Sequence, residues 1–87
     1  MANIFSQTGS IFSLNESLKI IKKGVEILIP SLSEERIIFY MVNLKPYTLR
    51  EIGNVLEVIL EFENGEITKE QKEKIRNLIK NYIWKYE

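Results

Sequence analysis

Apolar residues recur at helical spacing along most of this chain, and the repeats are broken at Pro30, at Lys45-Pro46-Tyr47 and at Asn64-Gly65. The densest stretch is Thr48 to Glu63. On a helical wheel its apolar members, Leu49, Ile52, Gly53, Val55, Leu56, Val58, Ile59, Leu60 and Phe62, cover roughly 220°. Arg50, Glu51, Asn54, Glu57 and Glu61 form the remaining polar strip. A surface helix needs an apolar stripe of little more than ~100°, so this pattern predicts a central helix, residues 48–63, contacted from more than one side.

The flanking segments read as helices with written starts. Ser13-x-x-Glu16 is a capping box, in which hydroxyl and carboxylate satisfy backbone amides at the helix start. Behind it Leu14, Leu18, Ile21, Val25, Leu28 and Ile29 share one side, until Pro30 ends the helix. Ser31-x-x-Glu34 offers a second box before Ile37-Ile38-Phe39-Tyr40-Met41-Val42. That apolar run predicts a helix, with a buried strand as the alternative. Thr48-x-x-Glu51 opens the central helix and Thr68-x-x-Gln71 the last one, whose stripe is Ile75, Leu78, Ile79, Tyr82, Ile83 and Tyr86. Ile4-Phe5-Ser6 and Ile11-Phe12-Ser13 surround Gly9, predicting an arm over residues 1–13 that can form a hairpin and either docks Phe5 or Phe12 on the core or is exchanged with a second subunit. The expected fold is therefore all-α: a small four-helix bundle-like single domain over 14–87, with an N-terminal arm. Gly24 and Gly53 interrupt helix interiors at ~1 kcal/mol each, which close packing of one against the other would offset.

Composition removes most chemistry. In 87 residues there is no cysteine or histidine, and all twelve acids are glutamate. The commonest general base, nucleophilic thiol and zinc ligands are missing together, so neither catalytic residues nor a metal or cofactor site is expected, and the chain reads as non-enzymatic. The four glycines are isolated, so no phosphate loop exists. Paired carboxylates such as Glu57 and Glu61 read as a solvated face. The longest apolar run is far below the ~18 residues of a membrane span, and no secretory pattern opens the chain; a cytoplasmic protein is expected. Net charge is zero, but residues 46–66 sum to −4 and residues 67–87 to +3. Such segments attract within the fold or across a dimer.

Ser33 to Leu56 resembles the first two helices of the DNA-binding region 4 of bacterial sigma factors and related helix-turn-helix proteins. The likeness covers about a quarter of the chain and rests on Thr48-Leu49-Arg50-Glu51-Ile52-Gly53, with Gly53 at the small-residue position of the first motif helix. It implies a DNA-binding transcription regulator. The motif's next requirement is a glycine turn and a polar recognition helix; Glu57 and an acidic amphipathic run stand there instead, and acidic residues repel phosphate. The sequence therefore points first to a small protein-binding regulator or inhibitor that dimerises with itself, and second to a degenerate helix-turn-helix. The expected partner face is Trp84 with Asn77, Lys80 and Asn81, because an indole opposite Ile75 on a polar helix face suits an interface anchor. The expected homodimer interface is Ile37, Ile38, Phe39, Tyr40 and Met41.

Overall fold

The computed structural model describes residues 11–86, with side chains through Tyr82. Four helices carry them: α1 (Leu14–Leu28), α2 (Glu34–Leu44), α3 (Leu49–Asn64) and α4 (Lys69–Tyr86). No strand occurs among the described residues, so Ile37–Val42 is helical.

Capping residues set the helix starts. Ser13 Oγ accepts from the Glu16 amide at 3.2 Å while the Glu16 carboxylate accepts from the Ser13 amide at 2.9 Å. Thr48 and Glu51 exchange the same two bonds at 3.1 and 3.2 Å, and Thr68 and Gln71 at 3.1 and 2.9 Å. The start of α2 differs from the expected Ser31-x-x-Glu34 box. Ser33 is the N-cap, its hydroxyl accepting from the Arg36 amide at 3.3 Å. The Glu34 carboxylate takes an ion pair with Lys22 on α1 instead. Gly65, at φ 89°, closes α3 in the left-handed conformation that glycine adopts without strain.

Lys45 closes α2 at φ 44°, a conformation unfavourable for a side chain with a Cβ. Two bonds from the start of α1 hold the turn that follows. The Ser17 hydroxyl, fully buried, donates to the Pro46 carbonyl at 2.8 Å, and the Phe12 amide donates to the Tyr47 carbonyl at 2.8 Å. Pro46 is itself sealed from solvent. Phe12 is buried in the core cluster, as the docking form of the arm predicts, so residues 11–13 belong to the helical body. Residues 1–10, including Phe5 and the proposed hairpin, lie outside the described residues.

The helices pack as a central pair with two flanks. Both α1 and α3 touch every other helix, whereas α2 and α4 do not touch each other. The core runs through Ile20, Ile21 and Val25 of α1 and Ile52, Val55, Leu56, Ile59 and Leu60 of α3, with Ile37, Tyr40 and Met41 on one flank and Ile75 and Leu78 on the other. The expectation of a central helix over 48–63 holds, with one exception: Phe62 is 73% exposed. Principal extents of 42 × 26 × 15 Å make the body flattened, with a short axis no longer than two packed helices need. Outward faces are therefore left on every element.

The two glycines do not meet. A Cβ on Gly24 would lie 2.8 and 2.9 Å from the methyl carbons of Leu56 and 3.0 Å from one of Leu78. The backbone of α1 thus seats on side chains of α3 and α4. Gly53 faces α4, where a Cβ would find Ile79 at 3.6 Å and Ile75 at 3.9 Å, ordinary contact distances.

Candidate interaction surface

Helix α2 divides the expected dimer residues between two faces. At 100° per residue, Ile37, Tyr40 and Met41 fall on one side, and all three are buried against the chain's own core. They cannot form an intermolecular seam without unfolding it, and are withdrawn from the interface. Ile38 and Phe39 remain on the outside at 41% and 51% exposure, joined by Val42 at 60%. Leu14, Asn15 and Leu18 of α1 extend this surface along a shallow groove with Ile38, Met41 and Val42. The Phe39 ring meets Tyr40 edge-on, centroids 5.5 Å apart, and the Arg36 guanidinium lies 5.2 Å from the Phe39 centroid. Aromatic and cation–π contacts of this kind fix side-chain orientation while leaving a ring face open.

Where α2 crosses the end of α3, a polar cluster joins the two. Glu63 Oε2 accepts from Arg36 Nη2 at 2.6 Å, from Arg36 Nε at 3.2 Å and from the Tyr40 hydroxyl at 2.6 Å. The Glu63 side chain is 18% exposed and that of Arg36 51%. The Tyr40 bond, then the Arg36 bonds, hold the Glu63 carboxyl below its ordinary range. Burial, followed by the bond to the Glu63 carboxylate, pushes the Tyr40 phenol up. Helical periodicity gave no sign of this cluster, because Arg36 and Glu63 are 27 residues apart.

On α4, Asn77, Lys80 and Asn81 are exposed, as the sequence predicts, but Lys80 and Asn81 border different hollows. Asn81 lines a recess against α1 with Lys23, Ile27, Leu78 and Tyr82. Lys80 lines a groove against α3. That groove has Leu49, Gly53, Ile75 and Ile79 as its apolar lining, and Arg50, Arg76, Lys80, Asn54 and Glu57 as its polar lining. Trp84 falls in the last turns of α4, and its side chain lies outside the described residues.

Helix α3 runs without interruption through Glu57 to Asn64. The turn that a helix-turn-helix places there is absent, and the segment expected to read DNA is the second half of the central helix. Among the described residues no cluster of three or more acidic side chains is arranged to hold a metal ion, and no helix is long and apolar enough to cross a membrane. The chain matches no protein-family model, no curated protein and no solved structure.

Proposed function

We propose that this chain is a small, non-enzymatic protein-binding regulator or inhibitor that acts through its helical surface as a homodimer. The observation carrying this is the outer face of α2, where Ile38, Phe39 and Val42 are exposed side by side. Contiguous exposed apolar surface on a soluble domain marks an interaction site. The occupant is a second copy, and the argument for it is charge. Glu35 and Lys45 stand at opposite ends of the exposed apolar stretch, and the side chain of neither has an ion-pair partner among the described residues. In an antiparallel pairing of α2 with its own copy, Glu35 of each subunit faces Lys45 of the other, as an isologous interface requires. The same reading sets the protein in the cytoplasm, where a cysteine-free domain folds without disulfides.

Sedimentation equilibrium tests this directly. The chain is expected to be a dimer at micromolar concentration, and Phe39→Glu, at an exposed site, is expected to give a folded monomer. A wild-type protein that stays monomeric at high micromolar concentration removes the proposal.

A further inference from the structure

The α3–α4 groove has a chemistry that self-association through α2 does not use. Its floor is apolar because Gly53 contributes no side chain and Ile75 and Ile79 come up beneath it at contact distance. Its rim carries Arg50, Arg76 and Lys80 against a single acid, Glu57, and none of the four has an ion-pair or hydrogen-bond partner among the described residues. In a chain of zero net charge, this is a local excess of positive charge bordering an apolar trough. One carboxylate against three cations leaves the rim with a net positive charge. The chain's own first ten residues contain no charged side chain and so bring no counter-charge to this rim.

We propose that this groove is a docking site for an amphipathic, acidic segment of a partner protein. Apolar side chains at i, i+3 or i+4, and i+7 lie on the Gly53–Ile75–Ile79 floor, in the helix-in-groove mode. Carboxylates on the segment's flank meet Arg50 and Lys80. An arginine fork suits bidentate carboxylate recognition, and complementary charge sets orientation and excludes basic segments. Lys80, one of the α4 residues expected from sequence, thereby acts with α3 and not with Asn81. The inference rests on the protein-binding reading but uses a face separate from the α2 seam.

The test uses three labelled probes: an amphipathic helical peptide with leucine on one face and glutamate on the other, its counterpart with lysine replacing glutamate, and a single-stranded oligonucleotide. Fluorescence anisotropy of the full chain is expected to show at least ~10-fold preference for the glutamate peptide, equivalent to about 1.4 kcal/mol, shrinking as salt is raised. The double variant Arg50→Glu, Lys80→Glu is expected to melt and sediment like the wild type and to reverse the preference. Equal binding of both peptides overturns the assignment, as does an unchanged preference in the folded double variant, or an oligonucleotide that displaces the glutamate peptide. Loss of peptide selectivity in a protein that still dimerises removes the groove and leaves the α2 reading standing. A monomer that still selects the glutamate peptide does the reverse.

Discussion

The two helix-interior glycines mark seams of opposite character. Around Gly24 the chain is sealed: Leu56 presses on the bare backbone closer than a Cβ could sit, and Leu78 lies at the tight limit of such a contact. Around Gly53 the same residue type sits half-buried with room above it, and the space left over is the floor of a groove. A helix-interior glycine weakens its helix by ~1 kcal/mol in either place. At Gly24 close packing offsets that loss. At Gly53 nothing in the surrounding packing demands glycine. One seam holds the fold together, and the other leaves a surface.

Leu56 and Ile79 give this contrast its largest readout. Leu56 is fully buried against Gly24, so Leu56→Ala leaves a cavity in the sealed seam and is expected to cost ~3–5 kcal/mol. Ile79 is only partly buried, on the groove floor, and Ile79→Ala is expected to cost about 1 kcal/mol, since less of its surface leaves water on folding. Urea denaturation of both variants checks the pair. Equal losses would mean that the α3–α4 groove is closed in solution.

The glycines themselves are expected to respond with opposite signs. Gly24→Ala forces a Cβ against Leu56, which cannot retreat because it is enclosed on all sides; overpacking of ~1–3 kcal/mol outweighs the propensity gain and leaves a net loss of about 1 kcal/mol. Gly53→Ala meets Ile79 and Ile75 at van der Waals distance and is expected to stabilise by ~0.5–1 kcal/mol. Thermal melts of the two alanine variants settle it, and a shared sign would erase the distinction between the seams.

Glycine identity alone could not separate these sites, because what differs is the residue placed opposite. Helix starts were legible wherever the capping pair was unique, at Ser13/Glu16, Thr48/Glu51 and Thr68/Gln71. At α2 two serines two residues apart compete, and the sequence does not show that Lys22 claims Glu34. On the buried face of α1 the apolar pattern gives no sign of Ser17, which is fully buried. A hydroxyl reads as polar on a wheel, but here it donates to a carbonyl 29 residues away. For α2, periodicity separates Ile37, Tyr40 and Met41 from Ile38 and Phe39, yet it does not say which side faces α1 and α3. The periodicity of α4 places Asn77, Lys80 and Asn81 outward, and all three are exposed. The division of Lys80 and Asn81 between two grooves depends on which helices flank α4, and a single helix pattern carries no such information.

The smallest expected effect belongs to the α2–α3 seam, which is neither interlocked like that of Gly24 nor open like that of Gly53, but fastened by Arg36, Tyr40 and Glu63. The Glu63 carboxyl is held below its ordinary 4.5 by its bonds to Tyr40 and Arg36. A carboxyl with a lowered folded-state value binds fewer protons folded than unfolded. Its contribution is therefore complete above the ordinary value and fades as pH falls through the folded one. The Tyr40 phenol is raised above 10.0, so its part is intact below that pH and is lost on the alkaline side. Half of the Arg36 side chain is in water, which screens the pair and keeps the effect small. Melting temperature measured from pH 7 down to about 3, spanning the carboxylate range, is expected to fall more steeply for the wild type than for Glu63→Gln, so that the two curves converge in acid. Parallel curves would mean that the cluster fastens nothing, and that α2 is held on α3 by Ile37, Tyr40 and Met41 through apolar contact alone.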